Sequence, residues 1–309
     1  MKTLLNMSNN KASGTVQGTR TDYDAAPVRA QFPIFERRVN GKPLHYLDNA
    51  ATGQMPRAVL DAVAEHETRH RANVLRSIHL LAEEATEAFE DARAGVAGFV
   101  NATDPNEVVF TSGTTSAINL VAYALGGALE PGDEVVISQV EHHSNIVPWQ
   151  MLRDRQGVEL KVLPATPEGA VDLGALSQMV TPKTRLVSVI HGSNVSGAIT
   201  PAAPVVDAAR AVGAKVLLDG AQMAPHGPVD VQALGVDFYA FSSHKAYGPN
   251  GAGVLWGRAE ALAQLPPFMS GGEMIRTVTL EKTDYADPPH RFEAGTPPIT
   301  QAVGMAAAI

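Results

Sequence analysis

The 309-residue sequence contains no cysteine. That absence excludes disulfide bridges, thiolate metal sites and any cysteine nucleophile within these residues. The sequence also lacks the apolar run of about 18 to 20 residues that a membrane-spanning helix requires. Basic residues are in deficit, 24 Lys and Arg against 32 Asp and Glu, for a formal net charge of -8. A surface with that balance offers no electrostatic footprint for nucleic acid or anionic membrane. The opening MKTLLNMSNNKASG has too few apolar residues for the h-region of a secretory signal. No low-complexity linker or internal repeat divides the chain, and a cytoplasmic protein with no nucleic-acid or membrane partner is the expectation.

What is present is a hydrophobic content of 45%, enough for a large core. Residues 1–26 are polar and read as a mobile tail, with one domain over 27–309. Short β-rich runs are expected at 107–110, 134–138, 160–163, 185–190, 215–219, 237–242 and 253–256. Between several of them lie helical spacings, such as Ile118, Val121, Ala122 and Leu125, or Val205, Ala208, Ala209 and Val212. Strands apolar throughout, alternating with helices, predict an α/β fold with a mostly parallel sheet covered on both faces. Ligands in such folds collect outside the carboxyl ends of the strands. The final QAVGMAAAI is a helix-forming run without a closing cap, so the domain is expected to continue past Ile309.

The strand ends carry the chemistry. After the first strand, TSGTTSAIN places Gly113 before Thr114, Thr115 and Ser116, a helix start that suits a phosphate or is simply a hydroxyl cap. No GK[ST] follows, so it is not a Walker A loop. In QVEHHSNIVPW, adjacent histidines on extended backbone point to opposite sides, so only one of them can face a site at the sheet edge; taken alone, the pair reads better as a buried or hydrogen-bonded structural histidine. KVLLD ends in the acid Asp219, and DFYAFSSHK ends in Ser242, His244 and Lys245, followed by turn-rich AYGPNGAG. An ammonium at the mouth of a buried strand needs compensation. Asp219 and Lys245 can pair as a structural salt bridge, but a phosphate-type turn, an aromatic base, an acid and a lysine together fit pyridoxal phosphate. HETRH (66–70) satisfies the H-E-x-x-H pattern of zinc proteases, yet His66 and His70 extend the inward stripe of Val59 and Val63, so packed or capping histidines are expected and no metal site.

YLDNAATGQMP (46–56), SGTTSAINLVA (112–122), ISQVEHHSNIVPWQML (137–152), HGSNVSG (191–197), LLDGAQMAPHGPVDVQALGVDFYAFSSHKAYGPNGAG (217–253) and RFEAGTP (291–297), in this order, carry a resemblance to the SufS-type cysteine desulfurases of the class V aminotransferase family. The resemblance covers residues 28 to 309. It implies the three-layer αβα large domain of fold-type I pyridoxal 5'-phosphate enzymes, with the C-terminal small domain missing. It implies Lys245 as the Schiff-base lysine and general acid/base, His142 stacked on the cofactor ring, Asp219 at the ring nitrogen and Gln222 at the phenolic oxygen. Thr115, Ser242 and His244, with help from Thr114, would hold the phosphate. Thr296 would reach the neighbouring subunit's phosphate, which implies a homodimer with shared active sites, and Asn194 and the Ala50–Ala51 backbone would lie near the substrate. His79 lies in another matching stretch, in which Leu75 stands where the family has histidine.

The implied reaction converts L-cysteine or L-selenocysteine to alanine, passing sulfur through an enzyme-bound persulfide to an acceptor protein for iron-sulfur cluster assembly. The family's persulfide cysteine and carboxylate-binding arginine belong to a region beyond Ile309. The 309 residues are therefore expected to bind cofactor without completing desulfuration. An aminotransferase-like or kynureninase-like relative without that cysteine, or a non-catalytic dimerisation module, would share the same motifs.

Overall fold

A computed structural model describes residues 24–75 and 78–309. The expected tail thus lies outside the described residues except for its last three positions, and Ala26 already begins a short helix. The described helices are α1 (Ala26–Arg29), α2 (Arg57–Glu65), α3 (Leu80–Phe99), α4 (Thr114–Gly126), α5 (Val147–Gln156), α6 (Leu176–Met179), α7 (Ala202–Val212), α8 (Val231–Leu234), α9 (Ala259–Gln264) and α10 (Ile299–Ala308). Two small antiparallel pairs, β1 (Arg38–Val39) with β2 (Lys42–Pro43) and β10 (Ile275–Val278) with β11 (Thr283–Tyr285), sit apart from the main sheet. They are short and mostly exposed, without the apolar content that marks a strand in sequence.

Seven strands form the main sheet: β3 (Val108–Thr111), β4 (Glu134–Ser138), β5 (Glu159–Leu163), β6 (Thr184–Ile190), β7 (Lys215–Asp219), β8 (Phe238–Ser242) and β9 (Gly253–Gly257). All seven expected strands occur, within one residue at either end. Their order is β3-β9-β8-β7-β6-β4-β5. Only β9 runs against the rest, pairing antiparallel with both β3 and β8. The other six strands point the same way, so the carboxyl ends of β3, β4, β6, β7 and β8 open on one edge.

Alternation along these strands feeds two separate cores. Val136, Val187, Val189, Val216, Leu218, Tyr239 and Phe241 pack on one face with Phe89, Val96, Val205, Ala209 and Met305, from α3, α7 and α10. Val135, Ile137, Leu186, Leu217, Phe238 and Ala240 pack on the other with Ile118, Val121, Trp149 and Leu152, from α4 and α5. Because successive strand side chains point to opposite faces, a strand that is apolar at every position requires helices on both sides. The expected three-layer αβα arrangement follows from this burial.

Candidate active site

A cavity of about 470 Å³ opens at the shared carboxyl edge, lined by Thr114, Thr115, His142, Asn194, Asp219, Gln222, Ser242, His244 and Lys245 among others. The loop 48–53 closes one side through Asp48, Ala50 and Ala51. That loop is fixed to the lysine turn, since Gly53 N–H donates to His244 O at 2.7 Å and Thr52 Oγ1 donates to the same oxygen at 3.1 Å. A side chain at position 53 would press on the Lys245 carbonyl at 3.2 Å, so glycine permits this approach.

The α4 turn forms where β3 meets β9. Gly113 has φ +151°, and a Cβ on Gly253 would lie 2.4 Å from its Cα, so two glycines let the strands cross there. The crossing brings Thr114 to Ser242: Thr114 N–H donates to Ser242 Oγ at 2.8 Å, and the two hydroxyl oxygens are 2.7 Å apart. Hydroxyls and amide N–H groups at the start of a 13-residue helix favour an anion.

Asp219 ends β7 and is 2% exposed. It accepts one hydrogen bond, from Ala221 N–H at 3.0 Å; among the described residues its other oxygen meets no donor. Burial pushes its carboxyl above the usual range, against the Ala221 bond and the charges of Lys245 and His142. Lys245 lies in a single turn, Ser243–Lys245, directly after β8. Burial lowers its ammonium pKa, with the Asp219 charge opposing. No ion pair within 4.0 Å joins them, so the structural salt bridge weighed from the sequence is not made; both groups face the same cavity. Burial and the Lys245 charge likewise lower His244.

Of the adjacent histidines, His142 lines the cavity and His143 does not. The backbone is not extended through both: His142 caps a single turn, His143–Asn145, its Nδ1 accepting from Ser144 N–H at 3.2 Å. Gln222 Nε2 donates to Ala50 O at 2.6 Å, fixing that side chain at the cavity wall.

The cavity assembles nine of the ten expected site residues. Thr296 is the exception, lining a separate pocket of about 300 Å³ with Thr111, Ser112 and Ser116. Within one chain it is not part of the cavity, because the 291–297 loop is tied to β3 by Glu293 rather than to the sheet edge. His79 caps α3, accepting from Ala82 N–H at 3.3 Å, and Leu75 takes a positive φ of 71°; neither lines the cavity. In HETRH, His70 Nδ1 meets Glu84 at 2.9 Å while His66 is buried, in a π-turn ending α2. Among the described residues no group of three or more His, Cys, Asp or Glu is placed to hold a metal ion. No helix of the described residues is long and apolar enough to cross a membrane.

Ser144 and Asp48 also line the cavity, though neither was singled out from sequence. Their signal was weak: each is a small polar residue inside a motif read for its neighbours. Behind the cavity, Glu141 accepts from Ile190 N–H at 2.9 Å, from Asn145 Nδ2 at 2.7 Å and from Ser138 Oγ. Asn145 Oδ1 in turn accepts from Trp149 Nε1 at 2.9 Å and from Ser188 Oγ at 2.5 Å. This network anchors the His142 turn to β6.

These residues fit pyridoxal phosphate. The buried carboxylate with one protein donor suits a protonated ring nitrogen, the desolvated amine suits an aldehyde, and the α4 turn suits a phosphate. Comparison with known proteins agrees. A probable cysteine desulfurase of Streptomyces coelicolor is 51% identical over 292 residues, covering 93% of this chain and 70% of the relative. The cysteine desulfurase CsdA from Escherichia coli superposes with a TM-score of 0.84 at 39% identity, covering 93% of this chain and 71% of that one. A variant of C-DES with glycine covalently linked to its PLP cofactor superposes with a TM-score of 0.78 at 26% identity, covering 91% and 72%. The sequence profile described as aminotransferase class-V matches residues 45–309. With lysine, acid and helix turn gathered at one sheet edge, and that profile spanning the domain which gathers them, this chain belongs to the class-V aminotransferases.

Proposed function

We propose that this chain carries the cofactor-binding part of a pyridoxal 5'-phosphate-dependent cysteine desulfurase, acting on L-cysteine or L-selenocysteine. The observation that carries it is the pairing within one cavity of a desolvated lysine and a buried carboxylate that has a single protein donor. When bound, the cofactor supplies an aldehyde for amine capture and an electron-withdrawing ring that stabilises negative charge at a substrate α-carbon. Asp219 would hold a proton at the ring nitrogen. Lys245 Nζ, whose ammonium pKa burial lowers, would carry the cofactor and move the proton at the α-carbon. His142 would cover the ring face, while Thr114, Thr115, Ser242 and His244 would bind the phosphate. Gln222 would meet the phenolic oxygen, and Asn194 the substrate.

The 309 residues hold no thiol, so the nucleophile that accepts sulfur is not among them. The reading includes a cytoplasmic homodimer in which Thr296 serves the partner's site, and a sulfur-acceptor protein; these rest on family resemblance. The test is spectroscopic. Adding pyridoxal phosphate to the protein gives a visible absorption band that resists dialysis, and Lys245→Ala does not give it. A wild type without the band, or a variant that retains it, refutes the assignment.

A further inference from the structure

The cavity contains a connection that the proposed chemistry does not use. Ser144 Oγ lies 2.7 Å from Thr115 Oγ1 and 2.9 Å from His142 Nδ1. The Ser144 backbone N–H also points at Nδ1, at 3.2 Å. An amide N–H can only donate, so in the neutral ring Nδ1 presents its lone pair and the ring hydrogen sits on Nε2. The Ser144 hydroxyl hydrogen is then directed to Nδ1 as well. A hydroxyl has one hydrogen, so toward Thr115 the Ser144 oxygen can only accept. The chain of donors therefore runs in one direction, from Thr115 to Ser144 to His142.

An anion at the α4 turn reverses the first link. Phosphate oxygens accept, so Thr115 turns its hydrogen to the anion and offers its own oxygen to Ser144. The Ser144 hydrogen swings away from the imidazole, leaving Nδ1 with the amide N–H alone. We propose that Ser144 is a positioning residue that couples anion occupancy at Thr115 to the hydrogen bonding, and so to the electron density, of the His142 ring. Seating of the phosphate end thereby makes the imidazole more electron-rich, which favours its stacking on an electron-poor ring. The coupling rests on the reading above in taking Thr115 as part of an anion-binding turn, and its consequence for stacking rests on His142 covering the cofactor ring. No bond is made or broken, since each hydroxyl keeps its hydrogen and only rotates.

The experiment uses full-length protein labelled with ¹⁵N-histidine, without cofactor, titrated with inorganic phosphate at alkaline pH, where imidazoles are neutral. Binding is followed by calorimetry, and the His142 resonances are assigned by their loss in His142→Gln. In the wild type the Nδ1 signal should move to higher frequency in step with phosphate binding, as expected when a lone pair loses a hydrogen bond. In Ser144→Ala phosphate should still bind while the signal stays fixed, and Ser144→Thr, which keeps a hydroxyl, should restore the movement. Ser144→Ala removes only a partly exposed hydroxyl and leaves the capping N–H in place, so the fold is retained. An equal shift in Ser144→Ala, or bound phosphate without a shift in the wild type, overturns the coupling alone. Failure of the wild type to bind phosphate overturns the anion-binding reading of Thr115 itself.

Discussion

Glu141 and Asp219 are both buried carboxylates at the same end of the sheet, yet their surroundings differ. Glu141 accepts from three donors and Asp219 from one. The pair formed by Arg93 and Glu293, buried between α3 and β3, is fuller still. Arg93 meets Glu293 through two contacts at 2.7 and 2.9 Å, donates to Val108 O at 2.8 Å, contacts Glu90, and lies 5.0 Å from the Phe89 and Phe110 ring centres. Burial opposes the Arg93 charge, but Glu293 and Glu90 outweigh it and hold the guanidinium charged. A buried charge that meets an opposite charge within the protein, as Arg93 meets Glu293, serves the fold, whereas the neutral donors around Glu141 only reduce the cost of its charge. A buried charge whose partners are incomplete costs stability until a ligand completes them.

Substitutions on each side of this contrast should behave differently. Arg93→Met leaves Glu293 buried and unpaired, and should lower stability by about 3 to 5 kcal/mol in chemical denaturation. Pairing it with Glu293→Leu should recover much of that loss; if the double variant is no better than the single, the pair is not the source. Asp219→Asn is expected to lower turnover about 100-fold or more in the enzyme that includes the sulfur-accepting thiol, while raising the melting temperature of the cofactor-free protein at neutral pH. The sign follows from the raised folded pKa: the native state holds its proton where the unfolded chain has released it, so ionisation penalises folding as pH rises through that range. A lower melting temperature would show that Asp219 is already satisfied.

Glu141 should show the same linkage in a measurable window, because burial, aided by the Asp219 charge and opposed by its three donors, pushes its carboxyl up to about 7. Its contribution to stability is complete below the unfolded value of 4.5 and falls as pH rises to about 7, by roughly 3 kcal/mol. Glu141→Gln also sets an amide against the Asn145 Nδ2, so it should destabilise most below pH ~4.5 and least above pH ~8. A pH-independent difference between the two denaturation profiles would contradict this. Trp149→Phe, which keeps the packing but removes one donor from Asn145, should cost about 1 kcal/mol. A cost several times larger would locate the effect in packing instead.

Much of the site was legible because its residues sit at strand ends that can be found by local pattern. Asp219 closes an apolar run, and Ser242, His244 and Lys245 follow another. Thr114 and Thr115 follow a glycine at a helix start. Glu141 was not legible, since an acid next to two histidines gives no sign of which donors it will meet. Arg93 was hidden for a related reason: its partner lies 200 residues away, and an arginine within a helix ordinarily reads as surface. Ser144 gives no local sign either, because Thr115, the residue it meets, lies 29 residues earlier.

By itself the sequence determined which segments become strands and helices, that both sheet faces are covered, and which residues stand at strand ends. These depend on hydrophobic period and turn chemistry, which act over a few residues. Only the tertiary structure decided the strand order, the 128-residue closure that brings Thr114 onto Ser242, and the separation of Thr296 from the cavity in a single chain. Those outcomes depend on which faces pack together, a choice made by the summed burial of the whole domain that no short stretch of chain contains.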